Sequence, residues 1–154
     1  MKIDKILKKE SVIADLLGDN KVEVIKEMTQ CLKKNNFIKN DQALFETLME
    51  REKLWCTGIG ENVAIPHGKS DEISQIITVL ARSKNGVEFE SLDEKPVHFV
   101  CMVIAPKNST GQHLKVLARI SRIFKNQGLR EDILNAGNSD SIYSILIHED
   151  SKFI

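Results

Sequence analysis

The run Val97-His98-Phe99-Val100-Cys101-Met102-Val103-Ile104-Ala105 is the strongest strand signal in this chain, apolar at almost every position and rich in β-branched residues. A second run, Gln75-Ile76-Ile77-Thr78-Val79-Leu80-Ala81-Arg82, has the composition of a strand covered on both faces. Helical patterns alternate with these and with several shorter strand-like pieces. The expected fold class is therefore α/β, a mixed sheet flanked by helices.

The helices announce themselves by caps and by spacing. Asn20 followed by Glu23 has the form of an N-cap and its reciprocal partner, and Val24, Ile25, Met28, Cys31 and Leu32 fall on one helical face. That helix should end near Asn35-Asn36. A second starts at Asn40-Asp41, with Leu44, Phe45, Leu48 and Met49 as its buried stripe and Glu46, Glu50 and Glu52 left for solvent. Ser109 with Gln112 reads as another capped start, leading into Leu114, Leu117, Ala118, Ser121 and Phe124, with Ile120 and Ile123 widening the face. From Gly128 to Ile147 two short helices are expected, Leu129 to Ala136 ending at Gly137, and Asp140 to Ile147 capped by Ser139. Val12 to Leu17 reads as a short strand or docked segment, Ser83 to Gly86 as a turn, and Val87-Glu88-Phe89 as a short edge strand.

The chemistry gathers in Thr57-Gly58-Ile59-Gly60-Glu61-Asn62-Val63-Ala64-Ile65-Pro66-His67-Gly68-Lys69-Ser70. Gly58 and Gly60 suit a turn, and Val63-Ala64-Ile65 has strand character. Pro66 biases Ile65 towards an extended conformation and removes an amide donor, so the strand should stop there with His67 at its end. Gly68 lets an outside group approach the backbone and leaves amide N–H groups free to face an anion, and Lys69 to Glu72 reads as a loop. On spacing alone a tight turn with a half-exposed histidine stands slightly ahead, because Pro-X-Gly turns are common. Arg51, in the last turn of its helix, complements the carbonyl end there, or delivers its guanidinium beside the glycine turn to pair with an anion. His113 stands in the first turn of a helix, where free N–H groups favour an anion and disfavour an imidazolium.

Thr57-Gly58-Ile59-Gly60 followed by Val63-Ala64-Ile65-Pro66-His67-Gly68 closely resembles the signature of the fructose/mannitol-type enzyme IIA domains of the bacterial phosphoenolpyruvate-dependent sugar phosphotransferase system, a family that includes nitrogen-regulatory IIA proteins. The resemblance covers nearly the whole chain and is sharpest over Arg51–Ser70 and Ala105–Leu117. It implies the enzyme IIA sandwich and a phosphoryl group accepted on His67 from the phosphocarrier HPr. It also implies that His113, in Gly111-Gln112-His113-Leu114, is the adjoining second histidine, and it favours the phosphoryl-pairing role for Arg51. His67 would be nucleophile and carrier, His113 hydrogen-bond donor and orienter, Arg51 electrostatic clamp, and the Gly68 region a source of backbone donors. The downstream partner would be the cysteine of an enzyme IIB during sugar uptake, or a regulatory protein that reads the phosphorylation state of His67.

The 154 residues suit one domain, 1–154. Lys+Arg 22 against Asp+Glu 22 leaves no global field to attract nucleic acid or an acidic membrane. Cys31, Cys56 and Cys101 form no C-x-x-C pair, and Cys56 reads as packing. Neither a signal peptide nor a membrane helix is apparent, so a cytoplasmic protein without direct membrane insertion is expected. No cofactor and no metal are called for. A metal hydrolase built on His67, His98, His113 and His148 is disfavoured, because their spacing lacks H-E-x-x-H or a carboxylate-histidine cluster. His98 reads as structural, and His148 carries no motif.

Overall fold

The computed structural model describes residues 1–153. Its strands are β1 (Val12–Ile13), β2 (Gly58–Gly60), β3 (Val63–Ala64), β4 (His67–Ser70), β5 (Ile77–Val87) and β6 (Val97–Pro106). Its helices are α1 (Lys21–Lys34), α2 (Asp41–Leu54), α3 (Gln112–Phe124), α4 (Gln127–Asn135) and α5 (Ser139–Asp150). The sheet runs β1-β5-β6-β3-β2, with β4 also pairing β6. The β5–β6 and β2–β3 pairs are antiparallel, whereas β1–β5, β3–β6 and β4–β6 are parallel, so the sheet is mixed as expected.

Alternation along β6 builds the two halves of the core. Phe99, Cys101, Val103 and Ala105 enter a cluster with Val116, Ile120, Ile133, Ile142 and Leu146 from α3, α4 and α5. Val100, Met102 and Ile104 enter a second cluster with Val24, Met28 and Leu32 of α1 and Leu44 and Leu48 of α2. The result is a helix layer on each face of the sheet.

Capping explains where α1 and α2 begin. The Asn20 side-chain oxygen accepts from Glu23 N at 3.0 Å, and that of Asn40 accepts from Ala43 N at 3.0 Å. Each such cap contributes about 1 kcal/mol. The last helix is capped by Asn138, one residue before the expected Ser139, through a 2.9 Å bond from Ser141 N.

Several local expectations are corrected. Ser83 to Gly86 lies within β5, which carries on through a register shift until Val87 pairs with Val97, so Val87 is no separate edge strand. Lys69 and Ser70 belong to β4, because their backbone pairs with Ala105 and Pro106, and polarity alone hid this. Helix α3 is entered through Gly111 at φ +113, a setting that side chains with a Cβ avoid, and Ser109 supplies no cap. Its buried face is Val116, Ile120, Ile123 and Phe124, while Leu114 is 61% exposed. Glu52, expected in solvent, is buried.

Candidate functional site

The Ile65–Pro66 step divides what would otherwise be one strand along β6. Ala64 pairs with Val100, and the ladder resumes with His67 opposite Val103. His67 thus opens β4 instead of merely ending a strand. Pro66 has no N–H to give, although its carbonyl accepts from Val103 N at 2.9 Å. Ile65 turns to other partners, its N–H donating to the Thr57 carbonyl at 3.0 Å and its carbonyl lying 2.9 Å from His67 Nδ1. A carbonyl can only accept, so Nδ1 carries the hydrogen and Nε2 keeps its lone pair. The imidazole is half-buried.

His67 lines a cavity of about 270 Å³ with Arg51, Trp55, Thr57 and Leu117 among its walls. Arg51 reaches it from the last turn of α2, where its Nη1 also donates to the Trp55 carbonyl at 3.1 Å. That bond satisfies the helix end and anchors the guanidinium, leaving further N–H donors. Leu117, Ala118 and Ser121 show a second face of α3 to the same cavity, which is why its apolar stripe looked so wide in the sequence. Gly68 lies inside β4 opposite Ile104, not in an open turn, and a Cβ there would meet Leu48 Cδ2 at 3.1 Å. Its lack of a side chain lets α2 pack close to β4.

His113 sits in the first turn of α3, half-buried, with Nδ1 buried and unpartnered among the described residues. Burial, then the charge of Lys69, then His67 hold its pKa below the ordinary imidazole value. An imidazolium would also present an Nδ1–H with nothing to accept it. Lys69, which the sequence placed in a loop, bonds the Ser109 carbonyl at 3.2 Å and so ties β4 to the entry of α3. A histidine depressed in the folded state adds stability that is fully present above its unfolded value and lost as pH falls through the lower folded value. An NMR titration of the histidine rings should therefore place the His113 midpoint below the ordinary range, and Lys69→Gln should raise it part of the way. A midpoint unmoved in that variant would remove Lys69 from this role.

Sequence reasoning missed a second group beneath the cavity. Glu52 pairs with Lys21 at 3.2 Å and accepts from Thr57 N at 3.3 Å and from the Thr57 hydroxyl. Lys21 also stands 3.8 Å from Cys56 Sγ, although far from it in sequence. The available signal was Lys21 on the buried side of α1, one residue after its cap.

The other histidines lie apart from this arrangement. His98 Nδ1 bonds the Ser83 carbonyl at 2.7 Å, and His148 is exposed on α5. Among the described residues no three His, Cys, Asp or Glu side chains gather as a metal-binding group. No helix of the described residues is long and apolar enough to cross a membrane.

Residues 5–149 match the family described as phosphoenolpyruvate-dependent sugar phosphotransferase system, EIIA 2. The chain is 34% identical over 146 residues to the nitrogen regulatory protein of Bradyrhizobium diazoefficiens, covering 95% of each. It is 35% identical over 150 residues to the PTS system fructose-specific EIIABC component of Bacillus subtilis, spanning 97% of this chain but only 24% of that protein. Among solved structures, nitrogen regulatory protein IIA-Ntr from Neisseria meningitidis superposes with a TM-score of 0.86 at 30% identity, over 94% of this chain and 98% of that one. A mixed sheet between two helix layers, a family match along nearly all of its length and relatives of both kinds agree: the chain belongs to the EIIA family of the phosphoenolpyruvate-dependent sugar phosphotransferase system and is a phosphocarrier of that type.

Proposed function

We propose that His67 carries the phosphoryl group on Nε2 and that a regulatory protein reads the result. The observation behind the first half is the bond from Nδ1 to the Ile65 carbonyl, which leaves Nε2 as the nucleophile in a cavity shared with Arg51. In the reaction the Nε2 lone pair attacks phosphorus on the phosphohistidine of HPr. A new N–P bond forms as the old one breaks, and the electron pair of the broken bond returns to the donor imidazole. Arg51 offers N–H donors to the equatorial oxygens, while His113 orients them. Residues 1–154 act as one EIIA domain in the cytoplasm, and this step needs no cofactor.

The regulatory half rests on likeness to nitrogen regulatory proteins along essentially the whole of both chains. A transport role, with transfer onward to the cysteine of an enzyme IIB, is the second reading, supported by the fructose-specific relative. Either partner must bring its reactive atom to His67. Trp55 and Ile59 in the cavity wall, 65% and 48% exposed, would lie beneath it.

Incubation with phosphoenolpyruvate, enzyme I and HPr should add one acid-labile phosphoryl group, seen by intact mass. The phosphorylated protein is then chased with a fructose-type enzyme IIB. Retention of the group, with ready return to HPr, fits the regulatory reading, whereas rapid loss to the IIB cysteine replaces it with transport. No adduct from demonstrably phosphorylated HPr would end both.

A further inference from the structure

A buried ion pair lies at the far end of a hydrogen-bonded chain that reaches His67. The Lys21 and Glu52 side chains are 9% and 2% exposed, so both charges have lost most of their water. Replacing such a pair by apolar groups of equal volume is often neutral or stabilising, so stability alone does not explain it. Its connections do. Glu52 Oε2 takes Lys21 Nζ at 3.2 Å and Thr57 N at 3.3 Å, and Oε1 takes the Thr57 hydroxyl. The Thr57 carbonyl then accepts from Ile65 N at 3.0 Å, and the Ile65 carbonyl accepts from His67 Nδ1 at 2.9 Å.

Ile65 depends on this chain because it pairs with no residue of β6, the ladder passing from Ala64 to His67 across it. Thr57 is thus the amide partner that fixes the carbonyl on which the His67 tautomer rests. Glu52 also follows Arg51 directly, so the same clamp fixes the rotation of the last turn of α2.

We infer that Lys21, Glu52 and Thr57 are positioning residues that hold His67 with its hydrogen on Nδ1 and Nε2 facing the donor. None of them touches the reacting atoms. The inference rests on the reading of His67 as acceptor. Its first readout, however, does not require phosphoryl transfer.

The test uses the full chain, labelled with ¹⁵N in its histidine rings, together with phosphoryl uptake from HPr in the presence of phosphoenolpyruvate and enzyme I. Wild type should show a protonated Nδ1 and an unprotonated Nε2 at His67. Glu52→Gln and Thr57→Val should average the two tautomers and lower the limiting rate of uptake about tenfold, with the half-saturating HPr concentration unchanged. Thr57→Ser keeps the hydroxyl and should restore both. Wild-type ring shifts and limiting rate in a folded Glu52→Gln or Thr57→Val would overturn the inference, as would a loss confined to melting temperature. If Glu52→Gln fails to fold, the Thr57 pair decides, since it leaves both charges in place. Should wild type accept no phosphoryl group at all, the acceptor reading fails by itself, and the ring shifts still decide the positioning.

Discussion

His67→Ala takes up no phosphoryl group from phosphorylated HPr, a fall of more than about a thousandfold from wild type. Alanine removes the imidazole that, among the described residues, combines a bond from Nδ1 to a carbonyl with a place in the Arg51 cavity. His98 also has its Nδ1 on a carbonyl, but that of Ser83, outside the cavity. His98→Gln should therefore label like wild type. His67 is half-buried and gives up one hydrogen bond, worth about 1 kcal/mol, so the variant remains folded and the loss is chemical. Intact mass before and after mild acid is the measurement. An acid-labile adduct of wild-type yield on His67→Ala would move the acceptor elsewhere.

Arg82→Met has the largest expected effect on stability. Arg82 lies in β5 at 1% exposure and donates to the carbonyls of Ala14 at 3.0 Å, Ile133 at 3.0 Å and Ala136. Two of those carbonyls belong to the C-terminal end of α4, where a positive charge also meets the helix dipole. Asp15, 3.7 Å away and 80% exposed, adds little. Methionine fills similar length without donors, stranding the acceptors in the core. The cost should be about 3–5 kcal/mol, lowering the melting temperature by roughly 10 °C. Urea unfolding with an unchanged slope would measure it, phosphoryl uptake at low temperature being retained. A loss below about 1 kcal/mol would mean that water or rearrangement satisfies those carbonyls.

What was legible in the sequence follows from how local each determinant is. Asn20 and Asn40 cap helices through bonds three residues away, and β6 declares itself by an apolar run that only a doubly covered strand accommodates. The Gly-x-Gly and Pro-His-Gly wording marked the cavity that holds His67. Glu52 was misplaced because a carboxylate on a helix normally faces water, and its partner Lys21 belongs to the preceding helix. β4 was hidden because a strand with polar side chains can still be held by its neighbour's backbone. The start of α3 was misassigned because Ser109 and Gln112 imitate a capping box while the backbone turns at Gly111. For Glu52 and β4, a contact made across the fold outweighed a propensity read along the chain.

The arrangement of strands also bears on self-association. A long open strand edge is a template for pairing with another copy, and it is a hazard for a protein that repeatedly meets partners. Here the two long strands lie inside the sheet, and the strands with an unpaired side, β1, β2 and β4, have 2, 3 and 4 residues. The outer side of β5 is occupied from Thr78 to Arg82 by the Ile6 carbonyl, β1 and the Leu16 N–H. The N-terminal segment thus covers the side of β5 that would otherwise be open to edge-to-edge pairing.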